Sequence, residues 1–208
     1  MLRKICIIVL FLLSVICAKA DELTFRIKGA LIGNTNYQYA YLYQSDTKKL
    51  LRVKLENRRF EFTGEIILYK KDFNVGFIFL SNDSAAKFIN QREIIEKQID
   101  RQYRMIILGR HTINVTTDAD IKNAKVEGCE LNKDYDEMNL AGHELKYEQF
   151  IDSHRDSPIS LLLIRGILPL KHLPIFDQLN FQGLYDKLSN KIKQSEYGLE
   201  TLKRIKNL

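Results

Sequence analysis

The stretch that decides the fold is Ile113-Asn-Val-Thr-Thr-Asp-Ala-Asp-Ile-Lys-Asn-Ala-Lys-Val-Glu-Gly-Cys-Glu-Leu-Asn-Lys-Asp-Tyr135. Before it, apolar residues mostly alternate with polar ones, which is typical of half-buried strands. After it, apolar residues recur every three or four positions, the spacing of amphipathic helices. We therefore expect an α+β protein in which an antiparallel β-sandwich or curled sheet of about seven or eight strands precedes a small C-terminal helical bundle.

The N-terminus has the order of a secretory signal peptide. Met-Leu-Arg-Lys is followed by an apolar run from Ile5 to Cys17 and by Ala18-Lys-Ala20. A membrane span needs about 20 apolar residues, more than this run has. We expect residues 1–20 to be removed on export and the mature chain to hold no integral membrane segment. Cys17 leaves the alternative of a lipid anchor, although Ile16 stands where a lipoprotein cleavage site has a small side chain.

Charge and cysteine content exclude two classes of function. The whole chain has 32 Lys and Arg against 26 Asp and Glu, and residues 1–20 hold three of the basic ones. The basic residues are scattered among acidic ones rather than gathered in a stripe, so we expect no nucleic-acid partner. After export Cys129 is the only cysteine, so the mature chain has neither an internal disulfide nor a Cys-x-x-Cys motif for dithiol exchange.

Alternation and turn residues place the expected strands in a β-rich domain at residues 21–130. A tight hairpin is expected around Asn57-Arg58. Ser84 to Tyr103 is rich in charged residues with a thin apolar stripe, which predicts a helical insertion near 84–103 lying across or beside the sheet. The expected strands are Leu23–Leu31, Tyr37–Tyr43, Leu51–Glu56, Arg59–Thr63, Phe73–Leu80, Arg104–Leu108, His111–Thr116 and Lys122–Glu127.

Residues 131–208 form the expected α-helical region. Ser157-Pro158 is a strong helix start, with Ser157 as N-cap and proline at the first helical position. The run that follows it, Ile159 to Leu168, is apolar nearly all round and predicts a deeply buried helix. The other expected helices are Asp134–Leu140, Glu144–His154, Phe176–Leu188 and Ser195–Leu208.

One candidate binding surface stands out, a ladder of tyrosines in the second strand. Alternation puts all four rings on one face, and two interpretations stay open. The ladder is either a sugar-stacking platform or a half-buried sheet face whose hydroxyls reach water. Its members are Tyr37, Tyr39, Tyr41 and Tyr43.

No catalytic, cofactor-binding or metal residue is expected. The four histidines have no metal-ligand spacing and are expected on the solvated surface. The acidic residues Asp134, Asp136 and Glu137 are expected to offset the positive end of a helix dipole rather than to act as acid and base. A carboxylate beside Cys129, that of Glu130, disfavours the thiolate, so the cysteine is interpreted as a tolerated small residue. The histidines are His111, His143, His154 and His172.

Several segments in order carry a family resemblance. They are Phe25-Arg-Ile-Lys-Gly29, Arg59-Phe-Glu-Phe-Thr-Gly64, Asn114-Val-Thr-Thr-Asp118, Lys125-Val-Glu-Gly128, Leu131-Asn-Lys-Asp-Tyr135, Phe150-Ile-Asp-Ser-His154 with Ser157-Pro158, and Leu184-Tyr-Asp-Lys-Leu-Ser189 leading to Ser195-Glu-Tyr-Gly198. With them the chain resembles the N-terminal domain of unknown function that precedes the thioredoxin-like domain in exported AhpC/TSA or TlpA/ResA-like thiol-disulfide oxidoreductases. The resemblance implies the periplasm of a Gram-negative bacterium. In that family a thioredoxin-like domain follows the last helix, whereas this chain ends at Leu208.

Three functions therefore remain in view. The first is a non-enzymatic periplasmic accessory or binding domain with a protein partner, either a thioredoxin-like domain or another periplasmic protein, and no cofactor. The second is the non-catalytic fragment of a thiol-disulfide oxidoreductase that works with a separate thioredoxin-like domain. The third is a carbohydrate-binding or adhesin module using the tyrosine ladder.

Overall fold

A computed structural model describes residues 24–33, 36–66, 68, 73–85, 103–118 and 120–207. The expected signal peptide, at 1–20, and the body of the helical insertion expected near 84–103 lie outside these residues. Within them the protein is α+β, with eight strands followed by a helical region.

The strands form two four-stranded sheets. The first has the order β4-β1-β7-β8 and the second the order β3-β2-β5-β6. The strands are β1 (Thr24–Leu31), β2 (Tyr39–Gln44), β3 (Lys49–Lys54), β4 (Arg59–Glu65), β5 (Asn74–Ser81), β6 (Tyr103–Leu108), β7 (Thr112–Thr117) and β8 (Lys125–Glu127).

The expectation of a purely antiparallel arrangement is wrong at one pair. β1 and β7 run parallel, with Ile27 beside Ile113, while every other pair in the two ladders is antiparallel. Parallel neighbours need a long connection, and here the chain passes through the whole second sheet between them. The first sheet is therefore mixed.

One apolar core lies between the two sheets. Alternate residues of β1 point into it, and Ile27 is fully buried while Arg26 and Lys28 are exposed. The same alternation holds in β7, where Ile113 and Val115 are buried. The core draws on both sheets, and its buried members are Phe25, Ile27, Leu31, Ala40, Leu42, Phe60, Phe62, Ile66, Ile78, Leu80, Ile106, Leu108, Ile113, Val115, Ile121 and Ala124.

Strand β8 ends before Gly128, and the helical region begins two residues later, at Glu130. Gly128 has φ +92°, and a Cβ there would meet the Thr112 backbone oxygen at 2.2 Å, so glycine is required at this turn. The helices are α1 (Glu130–His143), α2 (Tyr147–Ser153), α3 (Pro158–Ile167), α4 (Phe181–Asp186), α5 (Asn190–Gln194) and α6 (Glu196–Lys206).

The predicted start of α3 is confirmed, and the predicted bounds of another helix are wrong. Ser157 caps α3, its Oγ accepting from the Ile159 amide at 3.3 Å, and Ser195 caps α6 in the same way from Gly198 at 3.0 Å. The helix expected from Phe176 to Leu188 starts only after Asn180, whose side chain accepts from the Gly183 amide at 2.9 Å. Residues before that cap form turns instead.

The helices share a second core with the outer face of the second sheet. Phe73 and Ile107 come from the sheet side, and Phe73 meets the ring of Tyr197 edge-on at 6.2 Å. The helix expected to be most deeply buried is confirmed as α3, in which Ile159, Leu161 and Ile164 are fully buried. The helical region therefore packs against the second sheet, whose β6 it also contacts through α1.

Candidate functional site: an open cleft between two strand edges

The chain crosses from the second sheet to the first at a two-residue turn. Asn57 and Arg58 have φ +49° and +63°, the left-handed pair that a type I′ turn requires. Glu56 and Arg59 exchange backbone hydrogen bonds of 3.0 and 2.9 Å across it. The expected turn is confirmed, but the expected pairing of Leu51–Glu56 with Arg59–Thr63 stops at this bridge because β3 and β4 join different sheets. The two strands diverge and leave a cleft between their edges.

The free edge of β3 carries three outward-facing residues. The Leu55 amide donates to the Gln38 carbonyl at 2.8 Å, which fixes the odd-numbered residues of β3 as those bonded to β2. The backbone groups of Leu50, Arg52 and Lys54 therefore point away from the sheet. They have no hydrogen-bond partner among the residues that the structure describes.

The facing edge of β4 is occupied at both ends. The Leu31 amide donates to the Arg58 carbonyl at 2.9 Å, so the odd-numbered residues of β4 face outward. Arg59 is bonded to Glu56 at one end, and at the other Gln44 Nε2 donates to the Glu65 carbonyl at 3.2 Å. Gln44 belongs to the second sheet and is buried, so this contact closes the far end of the cleft.

The cleft has an apolar floor and two lobes. One lobe, near the turn, has a volume of about 570 Å³, and the other, near Gln44, about 650 Å³; both are lined by Glu61. The inter-sheet core is partly exposed to solvent here, because Leu51, Val53 and Leu55 on the β3 side are only half-buried. An extended chain lying in the cleft would cover apolar area and unpaired backbone groups at once.

The rim of the cleft is basic. Residues 48–65 hold six Lys and Arg against three Glu. Of the acidic residues, Glu61 is paired with Arg26 at 2.7 Å, and both side chains are largely exposed. The basic residues are Lys48, Lys49, Arg52, Lys54, Arg58 and Arg59. The local field therefore favours a negatively charged partner.

At the edge of β6, in contrast, a side chain covers the outward backbone groups. Asn132, at the start of α1, accepts from the Ile107 amide through Oδ1 at 2.8 Å and donates to the Ile107 carbonyl through Nδ2 at 2.9 Å. Asn132 is 1% exposed, so these two hydrogen bonds are shielded from solvent. This amide acts as a one-residue strand on the edge of β6 and interrupts that edge at Ile107.

The acidic cluster lies elsewhere than the sequence predicted, and its members hold helices together. Helix α1 starts at Glu130, so the three acidic residues lie in its second and third turns rather than at its positive end. Asp134 accepts a 2.5 Å hydrogen bond from Ser157 Oγ, Asp136 pairs with Arg104, and Glu137 lies 3.0 Å from His154 Nε2.

His154 is also an exception to the expected surface histidines. Its side chain is 16% exposed, its Nδ1 lies 3.0 Å from the Phe150 carbonyl, and its ring stacks on that of Phe150 at 4.2 Å. The serine, acid and histidine do not form a nucleophilic triad, because Ser157 bonds to the carboxylate of Asp134 and not to the imidazole. The arrangement joins α1, α2 and α3 and offers no activated nucleophile.

Cys129 is free and half-buried at the end of the first sheet. It lines a small cavity of about 230 Å³ together with His111, Arg110 and Leu131. Its sulfur is 3.7 Å from where a Cβ on Gly109 would lie. Within the described part of the chain, no basic group forms a hydrogen bond with the thiol.

The four tyrosines are not brought together on one accessible face. Tyr41 and Tyr43 are 1% and 2% exposed, and Tyr41 stacks on Phe79 at 4.9 Å with its hydroxyl donating to the Asp83 carbonyl at 2.5 Å. Tyr37 packs beside the inter-sheet core. Tyr39 is half-buried, with the guanidinium of Arg52 over its ring at 5.4 Å. Tyr39 therefore borders the basic edge.

The described residues lack two further features. Groups of three or more His, Cys, Asp or Glu that could hold a metal ion are not found among them. Nor does any described helix have the length and apolar character that crossing a membrane requires.

Comparison of the chain with protein-family models, with curated proteins and with solved structures finds no match. The resemblance to oxidoreductase N-terminal domains therefore stays a prediction from the quoted segments.

The cleft was missed by sequence reasoning although its signals are present. The turn Asn57-Arg58 was recognised, but alternation on both sides of it indicates a hairpin and does not indicate that the two strands enter different sheets. The signal that could have found the site is the charge of β3, since basic side chains are typical of a strand with a free edge.

Proposed function

We propose that this chain is a non-enzymatic accessory domain of the periplasm that docks a protein partner in the cleft between β3 and β4. In this proposal the two sheets are the halves of an open β-sandwich. The observation that carries the proposal is a row of backbone groups above an apolar floor, at Leu50, Arg52 and Lys54, to which no described residue is hydrogen-bonded. Backbone pairing along such an edge supplies affinity, and side chains on either side of it supply selectivity.

The chemistry of the other polar clusters supports a binding role over a catalytic one. Ser157, Asp134 and His154 take part in contacts between helices, and no described residue forms a hydrogen bond with the Cys129 thiol. We therefore expect the purified chain to show no dithiol-dependent reduction of insulin. Measurable turnover in that assay would contradict the non-enzymatic part of the proposal.

Site-specific photo-crosslinking in periplasmic extract tests the docking site. A photoreactive amino acid replaces Lys54 at the cleft or, as the matched control, Lys125 on β8, which is also exposed and on a strand. We expect a discrete adduct from position 54 and none from position 125. Equal adducts from both positions, or adducts from position 125 alone, would overturn the assignment of the cleft.

The same experiment separates the two accessory roles. An adduct with a protein that carries Cys-x-x-Cys supports the role of a fragment working with a separate thioredoxin-like domain. An adduct with a protein that lacks that motif supports an independent binding domain. Repeating the reaction with and without reductant shows whether the partner must be oxidised to dock.

A further inference from the structure

Resting on the proposed function, we propose that the partner segment is an extended acidic strand that adds to the free edge of β3. Its acidic residues alternate with β-branched apolar ones.

The backbone geometry fixes the length and the hydrogen-bonding side of the segment. Leu50, Arg52 and Lys54 each present an amide and a carbonyl to the cleft. These three residues span about 13 Å at roughly 3.3 Å per residue, so a five-residue segment pairs with all of them. In an antiparallel addition, the residues directly opposite these three exchange backbone hydrogen bonds with them.

The floor of the cleft selects the apolar half of the pattern. Leu51 and Val53 face the inter-sheet core yet remain half-buried, whereas Ala40 and Leu42 on the neighbouring strand are fully buried. The residues of an added strand that lie opposite Leu51 and Val53 would extend this core. Val or Ile suits those positions because branched side chains pack well on a pleated, half-buried surface.

Charge selects the other half of the pattern. Arg52 and Lys54 lie on the outer face of β3, and neither is in an ion pair with a residue that the structure describes. Opposite charges directly across two strands attract, and like charges repel. Acidic residues opposite Arg52 and Lys54 satisfy both cations, so the favoured segment alternates Val or Ile with Glu or Asp.

The facing edge of β4 is a poorer acceptor for the same segment. Both outward groups of Arg59 are already bonded to Glu56, and the Glu65 carbonyl already accepts from Gln44. The carboxylate of Glu61 would also repel an acidic strand. The geometry therefore points to β3.

The test measures fluorescence polarisation of a labelled heptapeptide, Val-Glu-Val-Glu-Val-Glu-Val, flanked by Gly-Ser at both ends. In an antiparallel addition the Glu amides face β3 and the Val amides face solvent. N-methylation of the three Glu nitrogens should weaken binding at least about tenfold, since several backbone hydrogen bonds are lost. N-methylation of the Val nitrogens is the matched control and should change affinity less than about twofold.

Charge is tested on both partners. Replacing Glu by Lys in the peptide, or introducing Arg52→Glu with Lys54→Glu in the protein, should weaken binding about tenfold. The control variant Lys203→Glu with Lys206→Glu lies on α6 and should bind the original peptide as the unchanged protein does.

Equal affinity for the Glu and Lys peptides, or equal loss from the two N-methylated peptides, would overturn the acidic-strand proposal. Crosslinking at position 54 together with either result would leave the docking function standing and reject only this partner class. Loss of the position-54 adduct as well would reject both.

Discussion

The ring of Phe25 lies over Gly64, its cross-strand partner in β4, so that a Cβ on Gly64 would meet the ring at 2.7 Å. The same relationship occurs four residues away with the roles exchanged. Gly29 pairs with Phe60, and a Cβ on Gly29 would lie 1.9 Å from that ring. The two strands thus carry the same Phe-x-x-x-Gly spacing in antiparallel register, and each phenylalanine fills the space above the other strand's glycine.

This reciprocal packing of phenylalanine on glycine gives a physical reason for two of the segments that carry the family resemblance, 25–29 and 59–64. A one-residue slip would place Phe25 and Phe60 opposite residues that bear side chains, and it would turn the ring of the slipped strand out of the core. The paired spacing therefore fixes the register of β1 on β4. It also positions the outward edge of β4 that borders the cleft.

Gly29→Ala should destabilise the protein by about 2–3 kcal/mol, because the added methyl overlaps the Phe60 ring and forces the core to shift. Urea unfolding followed by far-UV circular dichroism measures the change in the free energy of unfolding. Gly166→Ala is the matched control, since a Cβ there meets nothing within 4 Å in α3. It should stabilise by roughly 0.5–1 kcal/mol through helix propensity. Equal effects of the two substitutions would contradict the packing argument.

The strands of this fold could be predicted from the sequence more readily than the pairing between them. Alternation places Ile27 and Ile113 on buried faces, and both are fully buried. Alternation does not say which strands pair, so the parallel contact of β1 with β7 was not expected. Pairing is decided by non-local packing of the inter-sheet core, which local periodicity does not record.

The positions of polar side chains were the least predictable. His154 follows a helical segment, and its contacts within its own turn are with the backbone carbonyl and the ring of Phe150, so local reasoning places it in solvent. Its neighbour Glu137 lies 17 residues earlier and meets it only after α1 and α2 fold back on each other. Contacts of this kind follow from the packing of helices rather than from sequence spacing.

Asn132→Leu should destabilise the protein by roughly 2–3 kcal/mol, because it leaves the buried amide and carbonyl of Ile107 without partners. Asn132→Asp should be similarly harmful, since its carboxylate presents no donor to the Ile107 carbonyl at neutral pH. Thermal unfolding and amide hydrogen exchange at Ile107 provide the measurements. Asn36→Asp, at an exposed position, is the control and should change stability by less than about 0.5 kcal/mol. Unchanged protection of Ile107 in Asn132→Leu would contradict the proposed edge contact.

The hydrogen bond from Ser157 to Asp134 should show a large coupling energy. Both residues are buried, and Ser157 also caps α3. A double-mutant cycle of Ser157→Ala and Asp134→Asn should give an interaction energy of about 1–2 kcal/mol in urea unfolding. The uncoupled pair Ser195→Ala with Asp134→Asn provides the control, because Ser195 caps a different helix. Additive effects in the first cycle would show that the serine acts only as a cap.

The ion-pair network around Asp152 makes a prediction about pH. Lys187 Nζ lies 2.8 Å from one carboxylate oxygen of Asp152 and Arg155 Nη2 lies 2.8 Å from the other. Hydrogen bonds from Lys187 and then from Arg155 hold the pKa of Asp152 below its usual value. Folding thus favours the ionised carboxylate, so its stabilising contribution is present above the unfolded pKa, about 3.9, and is lost as pH falls through the lower folded value.

Lys187→Met removes the principal cause of that shift and should move the titration midpoint of Asp152 upward, toward the unfolded value. Carboxyl-carbon NMR between pH 2 and pH 6 measures the midpoint in each protein. Lys191→Met provides the control, because Lys191 is exposed on α5 and forms no ion pair with a described residue. It should leave the Asp152 midpoint where it is.

Because Arg155 still contacts the carboxylate in Lys187→Met, the shift should be partial, and a further rise is expected when Arg155→Met is added. A midpoint that stays low in Lys187→Met and rises only in Arg155→Met would reverse the order of the two causes.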